Sequence, residues 1–300
     1  MTKYNLNYSI TCQHKRSHGY PKADTLFNIY ACSLDIGHEG EHGSGWGVWE
    51  NDGPNPDILD LGSVPLYLVG GAVRDHLRGV KSNDWDFAVE AESFDQMRQW
   101  IVANDFEIFV ESPKYFTIRA RAPKDSFTFG GMDLTGSAFD FTLCRKERDY
   151  TDGRHPDHVE PGTLLDDLSR RDFTMNAVAI AEDGIYIDPF GGREDITNSE
   201  IRCVGSLQRL EEDGLRIMRA LRFVVQLGFG LDPEIDAYLQ TPEAVRALTY
   251  ISEDRVRQEL AKMLKEDSMS AIILLHKYFQ IADHILNDRK IWLEPTTAKR

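Results

Sequence analysis

The stretch "LYLVGGAVRDHLRGVKSNDWDFAVE", residues 66–90, limits the fold more than any other part of the chain. The apolar run "LYLV" predicts a short buried strand, and Gly70–Gly71 predicts a turn. "AVRDHLRG" predicts a short helix closed by Gly79, and "DWDFAVE" predicts a second strand. Strand, glycine turn, helix and strand in so few residues require a compact α/β unit. Side chains at i and i+2 of a strand share a face, so Asp84 and Asp86 stand together, with Trp85 and Phe87 opposite. Neighbouring carboxylates repel each other unless something positive joins them.

The remaining texture divides the chain. Residues 1–62 are rich in His, Gly, Asn and Asp, show weak periodicity, and end near "NDGPNPD", which reads as a linker. After the opening unit, "SFDQMRQWIVAND" predicts an amphipathic helix with Ser93 as N-cap. Strands are predicted at "FEIFVE", "YFTIRARA" and "FDFTLCR", with a hairpin tip or loop over residues 123–137. Beyond residue 160 the pattern turns helical, in "LLDDLSRRDFTMNAVAIA", "EEDGLRIMRALRFVVQLGF", "PEIDAYLQ", "SEDRVRQELAKMLKE" and "SMSAIILLHKYFQIADHIL". Short strands at "IYID" and "IRCVG" interrupt it. The expected class is α+β, a mixed sheet unit followed by helices.

A chain of 300 residues with 41% hydrophobic side chains can bury a real core. It has no apolar run long enough to span a membrane, and its N-terminus lacks the apolar segment of a signal peptide. Cys12, Cys32, Cys144 and Cys203 are too scattered for a disulfide framework. The expectation is a soluble cytoplasmic protein with no membrane partner. A formal net charge of −15 argues against binding nucleic acid by bulk attraction, so any such contact needs a local basic groove.

The glycine turn and the aspartates suggest a chemistry. Glycines let backbone approach a phosphate, and a helix N-terminus offers it free N–H groups. Paired aspartates can hold Mg²⁺, a hard cation that prefers carboxylate and phosphate oxygens. Two such ions would clamp the attacking and leaving oxygens of a phosphoryl displacement on a nucleoside triphosphate. In "SAFDFTLCR" Phe139, Phe141 and Leu143 alternate with Asp140, Thr142 and Cys144, so Asp140 faces away from the apolar side and is a candidate third carboxylate. The competing reading of Asp84 and Asp86 is a solvated strand face.

Five motifs in order, "LVGGAVRDHLRG", "NDWDFAV", "DLSRRDFTMNAVAI", "DPFGG" and "EDGLRIMRALRF", resemble the class II tRNA nucleotidyltransferase and poly(A) polymerase family, which includes the CCA-adding enzymes. The resemblance covers roughly residues 64–266. It implies a polymerase-β-like nucleotidyltransferase head with a mixed sheet over 63–200, an all-α neck that reads the nucleobase over 201–266, and a short helical segment over 267–300. It implies that Gly70, Gly71 and Arg74 contact the nucleotide, that Asp84 and Asp86 hold the metals, and that Arg170 contacts phosphates. Arg171, Asp172 and Asn176 become candidates for ribose and phosphate contacts, and Asp213 and Arg216 for reading the base.

Cytosine and adenine each offer an amino donor beside a ring-nitrogen acceptor. A carboxylate accepts from the first and a guanidinium donates to the second. Uracil and guanine would set a carbonyl against the carboxylate, at a cost of about 1–3 kcal/mol or more. The Asp213–Arg216 pair, three residues apart in a predicted helix, can therefore favour C and A without a template. Arg219 and Arg222 continue the series and are expected to bind phosphates or hold the reading pair. The implied reaction is attack of a tRNA 3′-hydroxyl on the α-phosphate of CTP or ATP, releasing pyrophosphate. Alternatives are a poly(A) polymerase and, in another class, a non-catalytic RNA 3′-end-binding protein.

The chain ends soon after "SEDRVRQELAKML", so the regions with which larger relatives grip tRNA are expected to be largely absent, with RNA anchoring either weak or supplied by a homodimer or by residues 1–62. In that extension Cys12, Cys32, His38 and His42, with His14 and His18 as substitutes, could form a structural Zn²⁺ module; the alternative is a His-rich loop.

Overall fold

The computed structural model describes residues 64–82, 84–148 and 158–291, together with two short strands near residue 45. The chain divides into two compact units, Met1–Asp60 and Leu61–Arg300. In the first, His42–Ser44 pairs antiparallel with Gly47–Trp49. Cys12, His14, His18, Cys32 and His38 lie outside the described residues, as does the His42 side chain, so the zinc module does too.

The second unit opens with strand β1 (Leu66–Val69), helix α1 (Gly71–Leu77), strand β2 (Trp85–Val89) and helix α2 (Phe94–Ala103). Ser93 caps α2, its side chain accepting from the Gln96 N–H. Strands β3 (Glu107–Ser112), β4 (Thr117–Arg121) and β5 (Ala138–Leu143) follow, with a small hairpin, Thr128–Phe129 against Met132–Asp133, between the last two. Helix α3 (Leu164–Ser169) then leads to strands β6 (Ala179–Ala181) and β7 (Tyr186–Ile187) and helix α4 (Gly192–Asn198). These strands form one seven-stranded sheet in the order β7-β6-β1-β2-β5-β4-β3. Only the β2–β5 pair in it is parallel.

Strand alternation explains the layering. Phe87, Phe139 and Phe141 point to one face and are fully buried, in a ring cluster joined edge-to-face to Phe106, Phe127 and Phe129. Each fully buried phenylalanine contributes about 1.5–3 kcal/mol. The other parity turns Asp86 and Asp140 to the opposite face, directly across from each other in the β2–β5 register. The core of the sheet thereby fixes the two carboxylates as neighbours.

The rest of the unit is helical: α5 (Gln208–Glu212), α6 (Leu215–Leu227), α7 (Pro233–Tyr238), α8 (Pro242–Thr249), α9 (Glu253–Glu266), α10 (Ser268–Lys277) and α11 (Phe279–Asp283). Ile217, Met218 and Leu221 of α6 and Val256, Leu260 and Met263 of α9 share a core that also takes in Phe173 and Met175 from the sheet-bearing part. A two-residue parallel pairing of Glu200–Ile201 with Gly230–Leu231 crosses this region. No helix among the described residues is long and apolar enough to cross a membrane.

Three predicted helices are broken in the structure. "LLDDLSRRDFTMNAVAIA" is a helix only as far as Ser169; a short 3₁₀ turn at Thr174–Asn176 follows, and Ala179–Ala181 joins the sheet beside β1. Here sheet pairing of an apolar run overrides local helical periodicity. "EEDGLRIMRALRFVVQLGF" breaks at Asp213–Gly214, where a Cβ on Gly214 would lie 2.2 Å from the Ala247 carbonyl oxygen. The glycine is required by that backbone approach. The last long helix is interrupted at Tyr278, between α10 and α11.

Candidate active site

Gly70 adopts φ +77°, a left-handed conformation that favours glycine. A Cβ there would lie 3.2 Å from Arg171 Nη1 and 3.3 Å from Asp86 Oδ2. The glycine bend, the second aspartate and an arginine of "RRDFTMNA" therefore meet at one point. Asp84, just before β2, and Asp86, within it, line the same cleft of about 570 Å³. Gly70, Gly71, Arg74, Arg170, Arg171, Asp172, Asn176, Asp213, Arg216, Arg219 and Arg222 also line it. Residues from four of the five motifs are brought together there; none from "DPFGG" lines the cleft.

Neither the Asp84 nor the Asp86 side chain receives a hydrogen bond among the described residues, whereas the other acidic groups of the region are engaged. Burial pushes the Asp86 carboxyl up to about 6; Arg171 opposes the rise, and Asp140 and Asp84 add to it. Two hard oxygen donors on one wall, one of them partly buried beside like charge, fit a divalent cation. Burial with neighbouring like charges favours the protonated acid. The folded protein thus holds an extra proton below about 6, and this stabilising contribution is lost as pH rises from the ordinary 3.8 through about 6. An ion needs the carboxylate form. Its affinity is therefore expected to fall about tenfold per pH unit below that value. Calorimetric titration with Mg²⁺ at pH 7 and pH 5 checks this, and equal affinities would contradict it.

Asp140 departs from the expectation of an available third ligand. It sits opposite Asp86 on β5. Its two oxygens accept from Arg119 Nε at 2.5 Å and Nη2 at 2.7 Å, and it does not line the cleft. Arg119 faces it directly in the β4–β5 register. Among the described residues no three His, Cys, Asp or Glu side chains converge as a metal cluster.

Seven arginines line the cleft against four aspartates, so its lining is rich in cationic side chains although the chain is acidic. Each arginine is set by an acidic partner. Asp167, almost fully buried, takes Arg170 on one oxygen and Arg171 on the other. Arg74, buried, binds Asp75 and donates from Nη1 to Asn176 Oδ1 at 3.0 Å. Asp172 accepts from Arg219 Nε at 2.7 Å, from the Asn176 amide at 3.1 Å and from the Phe173 N–H at 2.8 Å. Arg222 binds the buried Glu259 at 2.6 Å and is also bonded to Gln226. Asp172 and Asn176 were expected to meet ribose or phosphate. Their polar atoms instead join Arg74 to Arg219, which holds two guanidiniums of the cleft in place. Phe223 lies beneath Arg74, Arg219 and Arg222, with guanidinium-to-ring distances of 4.2–5.4 Å.

The expected base-reading pair is built differently from a helical i,i+3 pair. Asp213 is extended and precedes α6, and its Oδ1 accepts from the Leu215 N–H at 3.0 Å. Its Oδ2 accepts from Arg255 Nη2 of α9 at 3.1 Å. Arg216, within α6, donates to the backbone carbonyls of Arg209 at 2.9 Å and Arg170 at 2.8 Å. The two side chains line one cleft but are oriented by separate partners. Sequence reasoning missed Asp167, Phe223, Arg119 and Arg255. Arg255 follows Glu253 and Asp254 at the polar start of an amphipathic helix, which signals exposure and no particular partner.

Residues 66–202 match the family model described as the Poly A polymerase head domain. Among curated relatives, the CCA-adding enzyme of Lacticaseibacillus paracasei is 36% identical over 208 residues, covering 69% of this chain and 48% of that protein. Among solved structures, the Bacillus stearothermophilus CCA-adding enzyme in complex with CTP is similar at 35% identity with a TM-score of 0.57, covering 71% of this chain and 48% of the other. The Thermotoga maritima CCA-adding enzyme complexed with tRNA(CCA) is similar at 28% identity with a TM-score of 0.58, covering 74% and 48%. The chain spans about half the length of the curated relatives it matches. Through its sheet-bearing head and the motifs gathered in this cleft, the chain belongs to the class II tRNA nucleotidyltransferase and poly(A) polymerase family.

Proposed function

We propose that the cleft catalyses template-independent addition of C and A, from CTP and ATP, to the 3′ end of tRNA. The observation that carries this reading is one cleft lined both by Asp84 and Asp86 and by Asp213 and Arg216. The first pair suits phosphoryl transfer and the second suits selection of a base. Relatives named for CCA addition, one complexed with CTP and another with tRNA, support the same substrates. With tRNA, CTP and ATP as substrates, the cytoplasm is the proposed place of work.

In this reading the arginine side of the cleft, Arg170 and Arg171 above all, receives the triphosphate, with guanidinium forks matched to phosphate oxygens. Asp167 keeps both forks in position. Gly70 lets the substrate come close to backbone at the N-terminus of α1. Asp84 and Asp86 would hold Mg²⁺, which lowers the pKa of the attacking hydroxyl and offsets charge developing on the phosphoryl oxygens. Asp213 accepts from the amino group of cytosine or adenine, and Arg216 donates to the ring nitrogen. Arg255 keeps the Asp213 carboxylate aimed. Asp213→Ala is expected to reduce the preference for CTP over UTP by about 5- to 150-fold. Competition kinetics measures the ratio, and retained selectivity would contradict the assignment.

The family model is described as a poly(A) polymerase head, so synthesis of an A-run is the second reading. Incubating the protein with tRNA lacking its 3′ end, CTP, ATP and Mg²⁺, then sequencing the products, separates the two. Termination at CCA is the expected result. An A-run supports the second reading, and no addition contradicts both.

A further inference from the structure

Arg119 is a charged group beside the cleft for which the proposed mechanism has no use. It stands on β4, one strand beyond Asp140, which in turn stands one strand beyond Asp86. The three side chains form a row across the sheet at a single register level: Asp86, Asp140, Arg119. The guanidinium grips Asp140 through two parallel hydrogen bonds, at 2.5 and 2.7 Å, in a fork-to-fork arrangement. The Arg119 side chain is 47% exposed and that of Asp140 28% exposed. Asp84 and Asp86 carry no such clamp.

We propose that Arg119 is a positioning residue acting as a tethered counter-ion, which competes with a divalent cation for Asp140 and so raises the ion concentration the cleft needs before Asp140 can join Asp84 and Asp86. This rests on the reading of the cleft as a divalent-cation site. Two features make the exchange feasible. Cross-strand registration fixes the Asp140 backbone beside Asp86, so only side-chain rotation is needed to turn the carboxylate from one neighbour to the other. A half-exposed guanidinium can withdraw into water without being left buried and unpaired. A guanidinium fork takes up one lone pair on each carboxylate oxygen and neutralises the charge, so an incoming ion meets a poor donor while the fork stays in place. The ion must displace the fork, and the strength of that pair subtracts from its affinity. For a solvent-accessible pair the subtraction amounts to about two- to fivefold in apparent affinity.

The test is equilibrium Mn²⁺ binding, followed by electron paramagnetic resonance, to the full chain and to Arg119→Met, Asp140→Asn and Asp86→Asn. Arg119→Met is expected to bind Mn²⁺ about two- to fivefold more tightly and to lower the Mg²⁺ concentration for half-maximal nucleotide addition by the same factor. With Asp140→Asn in the background, removing Arg119 is expected to change nothing further. Thermal melting shows whether each variant is folded. Unchanged or weaker Mn²⁺ binding by a folded Arg119→Met, with Asp86→Asn still impaired, would overturn the proposal and leave the cation site standing. Unimpaired binding by Asp86→Asn would remove the cation site and the proposal together.

Discussion

Replacing Asp86 by asparagine is expected to reduce nucleotide addition by roughly a thousandfold or more, about 4 kcal/mol of transition-state stabilisation, while leaving the fold intact. Asparagine keeps the size and shape of the side chain but cannot supply the anionic oxygens that a hard cation prefers. The fold has no need of the charge. Burial works against it and the neighbouring Asp140 and Asp84 repel it, which together outweigh the attraction of Arg171, and no hydrogen bond from another described residue compensates. A neutral amide removes these penalties, so the melting temperature above pH 6 should equal or exceed that of the parent. Activity and stability are thus expected to move in opposite directions, which a merely structural aspartate would not produce. Single-turnover extension of a labelled RNA with calorimetric melting reads both. Activity within tenfold of the parent, or a clear loss of stability, would contradict the assignment.

Asp172→Ala is expected to show the reverse emphasis. Asp172 is buried and accepts from Arg219, Asn176 and the Phe173 N–H. Burial pushes its carboxyl up, but Arg219 and the hydrogen bonds outweigh burial and hold it below the usual range. Removing the carboxylate leaves a partly buried guanidinium, a buried amide and a backbone N–H without that partner. Loss of one partner from a buried ion pair costs about 3–5 kcal/mol. For a chain of this size that lowers the melting temperature by roughly 6–20 °C. Since the folded pKa lies below 3.8, this stabilisation is complete above that value and is lost as pH falls through the folded value. The gap between parent and variant should therefore narrow in acid. A double-mutant cycle with Arg219→Met isolates the pair. A shift under about 2 °C at pH 7 would show that Asp172 is not the keystone between Arg74 and Arg219.

Local sequence carried the parts of the site that lie close together along the chain. The Gly70–Gly71 bend, α1 and the two aspartates before and within β2 follow from glycine chemistry and period-two alternation. The same alternation placed Asp140 on the face of Asp86. What alternation cannot show is the next strand over, and it is Arg119 on β4 that holds the Asp140 carboxylate. Helical spacing put Asp213 and Arg216 on one helix. The backbone approach of Gly214 to Ala247 ends that helix early and leaves Asp213 to be held by Arg255, 42 residues away. The apolar run at Ala179–Ala181 read as helix because a short apolar segment has no period of its own; β1 beside it decides. Arg119 and Arg255 escaped because tertiary contact chooses their partners, whereas Asp167 lies only three and four residues from Arg170 and Arg171 and was legible locally; each hit was a preference already present within a few residues.

Diffraction data from crystals soaked with Mn²⁺ and a non-hydrolysable CTP analogue, collected at the manganese absorption edge, test the central claim most directly. The account predicts anomalous density between Asp84 and Asp86, the triphosphate along Arg170 and Arg171, and the cytosine amino group facing Asp213. A nucleotide bound elsewhere, or manganese absent from the two aspartates while the analogue fills the cleft, would contradict it.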